Sequence, residues 1–412
     1  MTSRGGSSWR RDAWVAVATV GAGLLGYAFN VVLSRALGPS GFGELSALLA
    51  VAILAIVPGT AVQAGIARRL AVAPSPATER RLLGESVVLA VAVGAVVLAV
   101  GPLLRAELGV RSTASIVWLA VSMIPTTVAY GCLGVLQGRR RFLALGWLLL
   151  LVQGVRLVAA LLAAASGTGI VGALAAVSVL TTLVAVVAVA RLGAPVLSLR
   201  VVLLREALAR DTGVLLGVLL LSNLDVVLAR HYLSPHAAGL YAAGNLVTKA
   251  AFWGAGFVPT VTYPLLSQPA QRAAAVRRGV RLLAGLSVVA TVAAAAGAPL
   301  LPAVLGASYR PVAHLAWLFA LQGAALAGVL FAVYAGLAVR RHGLGLAVWL
   351  VAAVESAAVA ARWHDSVEQV LLVVVCGSAA LLAGAVAAAL RRNRASSRVR
   401  SWHRIRSSPS RS

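Results

Sequence analysis

Residues Asn30–Val51, "NVVLSRALGPSGFGELSALLAV", and residues Asp225–Val247, "DVVLARHYLSPHAAGLYAAGNLV", decide how this chain is put together. Aligned with a one-residue gap, both read Val-Val-Leu, then an arginine, then a Leu-x-Pro turn, then a glycine four residues beyond the proline. Each starts in one apolar run and ends in the next. Each is therefore two helices joined at a proline-marked turn. A second match, "WLLLLVQ" (Trp147–Gln153) over "WLVAAVE" (Trp349–Glu355), has nearly the same offset. Trp118 and Trp317 open another corresponding pair of runs. Offsets of 195–202 residues in a chain of 412 mean that the chain carries one unit twice.

The unit is a membrane unit. The chain is 60% hydrophobic and 11% charged, with a mean hydropathy of +0.93. A soluble domain is about 25% charged. Runs long enough to cross a bilayer, about 20 residues each, recur at 14–36, 42–66, 85–104, 114–137, 142–165, 169–190, 212–230, 238–266, 280–302, 312–338, 343–361 and 367–390. Twelve runs and one repeat give an all-α integral membrane fold of two six-helix lobes. An even number of helices per lobe makes the repeat parallel, with a pseudo-twofold axis along the membrane normal and a site between the lobes. The expected boundaries are an N-terminus over 1–13, a first lobe over 14–191, a linker over 192–211, a second lobe over 212–390 and a basic, disordered tail over 391–412. The first run follows "SSWRRDAW". It lacks a cleavage site and outruns a signal h-region, so it reads as helix 1.

The net charge of +25 suggests nucleic acid until the charges are placed. Of the 36 Lys and Arg, 28 lie in the termini and in alternate loops, and only six lie on the opposite side. That is the positive-inside pattern, repeated loop by loop. It predicts both termini in the cytoplasm, membrane lipids as neighbours and no nucleic-acid partner. Two cysteines, Cys132 and Cys376, form no CxxC or zinc pattern, so no metal site or cofactor is expected. No P-loop, HExxH or Ser/His/Asp arrangement appears, and the loops opposite the basic ones are short, so no enzyme is expected.

Charge inside the runs is costly, roughly 2.5–3.5 kcal/mol per group on insertion scales, and faces cavities or partners. Arg156, Asp225, Lys249 and Glu355 are four such residues. Tyr241, Asn245, Lys249 and Trp253 recur every four residues and form one stripe. Gln153 and Arg156 share a face, as do Tyr27, Asn30 and Ser34. The repeat pairs Asn30 with Asp225 and Gln153 with Glu355, which points all four at a shared interior. A structural ion pair between Asp225 and Lys249 is the competing reading. Arg35 and Arg230, near helix ends, read as snorkelling to the interface.

"FNVVLSRALGPSGFGELSALLAV" resembles the first-hairpin signature of bacterial polysaccharide and O-antigen flippases. "GIARRLA" after helix 2 and "GVLQGRRRF" between helices 4 and 5 resemble the same family. "LLLSNLDVVLARHYLSPHAAGLYAAGNLV" is similar to its helix 7–8 hairpin, with Asp225 at the usual acidic position. These flippases belong to the multidrug/oligosaccharidyl-lipid/polysaccharide exporter superfamily. The resemblance is clear over helices 1 to 8 and lies in pattern beyond them. It implies a V of two lobes, alternating access, and movement of a polyprenyl-pyrophosphate-linked oligosaccharide from the inner to the outer leaflet. Glycosyltransferases or a polymerase of the same pathway would be its partners. On that reading Arg156 and Lys249 meet the pyrophosphate. Tyr241, Asn245, Trp253, Gln153 and Asn30 line the substrate's path, and Asp225 and Glu355 serve coupling or gating. An ion-coupled exporter of small amphipathic molecules is the alternative on the same fold. A polytopic glycosyltransferase or ligase is a third reading, disfavoured by the short loops.

Overall fold

A computed structural model describes residues 5–198, 210–266, 268, 270–338 and 343–406. The helices are α1 (Gly5–Ala55), α2 (Val57–Val72), α3 (Pro76–Ala99), α4 (Gly101–Leu108), α5 (Thr113–Gly138), α6 (Phe142–Ser166) and α7 (Gly169–Leu192). They continue with α8 (Arg210–Tyr232), α9 (Pro235–Ala255), α10 (Phe257–Leu266), α11 (Arg272–Ala296) and α12 (Leu300–Leu305). After a 3₁₀ segment, Ala307–Leu315, come α13 (Ala316–Leu337), α14 (Gly343–Ala361) and α15 (Val367–Arg406). No strand occurs among the described residues. Residues 1–4, 199–209 of the expected linker and 407–412 of the expected tail lie outside them.

Nine helices among the described residues are long and apolar enough to cross a membrane. One of them, Trp14–Val72, holds two of the expected spans. The helices bearing Asp225 and Lys249 fall outside that count. The tail differs from expectation, because α15 continues through Arg406. Its Ala- and Arg-rich sequence holds no Gly or Pro between Ala385 and Arg406, so nothing there stops a helix.

The turn inside α1 falls where the quoted hairpin put it. Gly38 has φ 63° and ψ 178°, outside helical space, and Pro39 follows. A positive φ is open to glycine at little cost. Neighbours show that the chain reverses there. Before the turn, Gly21 lies by Leu150, Gly26 by Gln153 and Phe29 by Arg156, climbing α6. After it, Glu44 lies by Arg111, just ahead of α5, and on α2, which continues the same span, Gly59 lies by Thr127 and Leu70 by Gly138, descending α5. Because α5 and α6 are joined by the short turn at 139–141, the two halves of α1 run oppositely.

The two lobes repeat the same packing. The first half of α1 packs on α6 as α8 packs on α14. Helices α2 and α3 pack on α5 as α9 and α11 pack on α13, and α7 lies on α5 and α6 as α15 lies on α13 and α14. Small residues allow the close approaches that bilayer-embedded helices use. The lobes meet mainly through α1 against α8 and α9. Cross-lobe hydrogen bonds run from Tyr27, whose hydroxyl donates to the Leu246 carbonyl at 3.3 Å, up to the end where Arg35 and Arg230 sit. The basic loops lie at the other end. The architecture is a V joined at the end opposite those loops.

Candidate functional site

The polar residues singled out from the sequence form two groups, one in each lobe. In the second lobe the centre is Asp225 on α8, only 2% exposed. Its Oδ2 accepts from the Tyr241 hydroxyl at 3.0 Å and from Asn245 Nδ2 at 2.6 Å, both on α9. Its Oδ1 accepts from the Val226 backbone N–H at 2.9 Å. Lys249 is not among these partners, so the direct Asp225–Lys249 ion pair weighed from the sequence is not formed.

The α9 stripe divides along its length. A residue four on in a helix is about 40° further round, so three such steps turn the stripe by about a third of a circle. Tyr241 is fully buried, with its ring edge-on to Phe319 at 5.3 Å, and Asn245 is 2% exposed. Both were expected to line the substrate's path. Both are instead inside the lobe, committed to Asp225. Lys249 and Trp253, further along, are less buried. They line a narrow pocket with Ser222, Asn223, Thr248 and, from α1 of the other lobe, Ile53.

Glu355 on α14 is buried, and neither of its oxygens has a hydrogen-bond partner. It packs against Gly377 of α15, where a Cβ would meet its Oε1 at 2.1 Å. It lies within electrostatic reach of Asp225 and Tyr241.

The first lobe presents Arg156. Its guanidinium stacks over the Phe29 ring at 5.0 Å and donates from Nη1 to Gln153 Oε1 at 3.2 Å. Arg156, Gln153 and Asn30 are all half-buried on the α1–α6 face. Asn30 donates to the Gly26 carbonyl of its own helix at 2.8 Å. The paired positions differ in chemistry. The first lobe offers an arginine and two amides, and the second offers two carboxylates and a lysine.

Sequence reasoning missed Glu44. It is 1% exposed, lies just past the α1 reversal, and sits 3.9 Å from Arg230 of the other lobe. The signal was present: a glutamate in the first turn of the second span, beside the repeated glycine. Arg35 and Arg230, read as snorkelling outward, both reach across to the opposing lobe.

An all-helical membrane bundle of two like lobes joined at one end is the architecture of the multidrug and polysaccharide exporters. A solved structure described as the inward-facing conformation of a multidrug resistance MATE family transporter of the MOP superfamily superposes with a TM-score of 0.71. That match is at 13% identity, over 91% of this chain and 95% of that one. An outward-facing structure of a MATE transporter of that superfamily gives 0.63 at 14% identity, over 94% and 95%. The Vibrio cholerae MATE transporter VcmN in its bent form gives 0.55 at 17%, over 94% and 98%. No curated protein matches the chain. The family model described as "Polysaccharide biosynthesis protein" matches residues 8–269, and the chain belongs to that family.

Proposed function

We propose that this protein is a transporter that flips a polyprenyl-pyrophosphate-linked oligosaccharide from the inner to the outer leaflet of a bacterial cell membrane. Family membership supports the polysaccharide pathway. The exporter fold supports movement rather than group transfer. The observation that carries the reading is a cation in each lobe, Arg156, half-buried over Phe29, and Lys249, lining a pocket that Ile53 of α1 also borders; on this reading both turn to the V. A pyrophosphate cannot enter the membrane unpaired, and attraction between charges strengthens as the dielectric falls. Arginine grips phosphate oxygens with two parallel N–H groups, while lysine supplies a mobile point charge. Trp253, more than half exposed beside Lys249, offers a flat apolar face to a sugar ring or the first isoprene units. Asp225 and Glu355 then act in coupling or gating, balancing the cations when the cavity is empty. Enzymes that build or polymerise the glycan are the expected pathway partners.

Complementation of a strain lacking the native gene tests this, with surface glycan as the readout. Lys249→Ala and Arg156→Ala should each reduce export at least about tenfold at normal protein level. Arg156→Lys should keep part of the activity, because the charge survives without the fork. Full export by the double alanine variant would end the reading. The buried acids of the second lobe favour one further reading, an ion-coupled exporter of small amphipathic molecules. It predicts raised tolerance to such compounds on expression, with surface glycan unaffected.

A further inference from the structure

The repeat places Arg35 and Arg230 at equivalent positions, and the structure gives them equivalent tasks across the lobe boundary. Arg35 of the first lobe donates from Nε to the Val304 carbonyl at 2.7 Å and from Nη2 to the Ala303 carbonyl. Both carbonyls are at the C-terminal end of the short helix α12. Arg230 of the second lobe donates from Nε to the Leu108 carbonyl at 2.8 Å and from Nη2 to the Gly109 carbonyl at 3.1 Å. Those carbonyls end the short helix α4. The last carbonyls of a helix lack partners within it and attract cations. Each lobe thus extends one arginine to cap the other lobe's short helix.

Between the two arginines the backbones touch. A Cβ on Gly239 would meet the Pro39 carbonyl oxygen at 1.8 Å, and one on Gly43 would meet Gly239 N at 2.8 Å. Gly43 and Gly239 are the glycines that the repeat aligns. The Tyr309 hydroxyl adds a bond to the Ser34 carbonyl at 3.0 Å.

The clasp is not symmetric in charge. Glu44 stands 3.9 Å from Arg230 and 3.8 Å from Arg111, and its Oε1 accepts from the Arg111 backbone N–H at 3.1 Å. The residue aligned with Glu44 in the other lobe is Leu240. Arg230 is 7% exposed, whereas Arg35 is exposed and borders a cleft of about 330 Å³. Glu44 Oε2 and Arg230 Nη1 have no hydrogen-bond partner, so the buried pair is held by charge more than by geometry.

We infer that Arg35 and Arg230 form a two-sided clasp that holds the lobes shut at the end opposite the basic loops, and that the Glu44–Arg230 half is its ionic lock. The inference rests on the transporter reading, since a lock matters only if the lobes part there. Opening breaks both arginine caps and the Gly43–Gly239 contact together. A lone buried charge is unstable in the closed seam. Removing one member of the pair therefore shifts the population toward the state open on this side.

The test is thiol accessibility, which needs no knowledge of the cargo. In full-length protein with Cys132 and Cys376 replaced by alanine, Ala243→Cys places a thiol one turn below Gly239, at a position with no exposure. A membrane-impermeant maleimide is applied to whole cells. Labelling in the parent should be slow, and rapid labelling there overturns the inference, because the seam would already be open. Glu44→Gln, which keeps shape and loses charge, and Arg230→Gln should each raise the labelling rate at least about tenfold. Arg35→Ala, lacking a carboxylate partner, should raise it by less. Unchanged rates in Glu44→Gln at normal membrane level would refute the lock, whatever becomes of Arg230→Gln. A larger effect from Arg35→Ala would refute the assignment of its ionic half. If labelling rises as expected while surface glycan is unaffected by the Arg156 and Lys249 variants, the clasp stands and the cargo assignment falls.

Discussion

Asp225 accepts three hydrogen bonds and meets no cation directly. A buried carboxylate held this way is expensive to disturb, since a hydrogen bond to a charged group contributes about 1.5–3 kcal/mol. Tyr241→Phe removes one of the three and should lower the melting temperature of detergent-purified protein, at a cost of about 1–3 kcal/mol. Asp225→Asn is the more informative variant. Its amide oxygen can still accept from Tyr241 and Asn245, while the Val226 N–H loses its side-chain acceptor, so the protein should accumulate only modestly below its normal level. If the charge serves coupling, transport per molecule should fall. Normal transport per molecule by Asp225→Asn would leave the residue a structural role only. The sequence showed that Asp225 was inside the bundle, because a charge in an apolar run must be shielded. It did not show which neighbours shield it. Tyr241 and Asn245 were on the right helix, yet they turn inward to Asp225, while Lys249 and Trp253 do not.

At the scale of elements, the Gly43–Gly239 contact and the α1 reversal do the positioning. Gly239 tolerates no side chain, because its Cβ would lie 1.8 Å from the Pro39 oxygen. Gly254, on the same helix, has nothing within 4 Å of a Cβ. Gly239→Ala should therefore separate α9 from α1 and destabilise the fold by about 1–3 kcal/mol or more. Gly254→Ala should be neutral or stabilising by about 0.5–1 kcal/mol, since alanine favours a helix over glycine. Thermal unfolding of the two variants in the same detergent checks the contrast. Equal effects would mean that the interhelical contact is not tight. The hairpins were legible because Leu-x-Pro turns and repeated glycines mark them locally. The continuation of α15 to Arg406 was not, because a basic, serine-containing tail carries no local mark separating helix from disorder.

At the scale of the whole molecule, the basic loops gather at one end of the bundle and the clasp closes the other. The charge asymmetry predicts the orientation, which is directly measurable. A cysteine at Thr168 or His236 should react with an impermeant thiol reagent added outside the cell. One at Gln268 should react only after the membrane is permeabilised. The reverse pattern would invert the leaflet assignment and the direction of transport with it.

The sequence by itself determined the membrane setting, the duplication, the parallel relation of the lobes and the residues that could not face lipid. Each of these follows from one-dimensional quantities: run length, offset, parity and the cost of charge in hydrocarbon. Only the tertiary structure decided which of those polar residues meet. It buried Tyr241 and Asn245 against Asp225, left Glu355 unbonded, and carried Arg35 and Arg230 across to helix ends some 270 and 120 residues away. The reason is physical. Shielding a charge is a local requirement that any suitable neighbour satisfies, so the sequence states the need and not the partner. The partner is fixed when two lobes dock, and docking depends on contacts, such as Gly43 on Gly239, that no single segment contains.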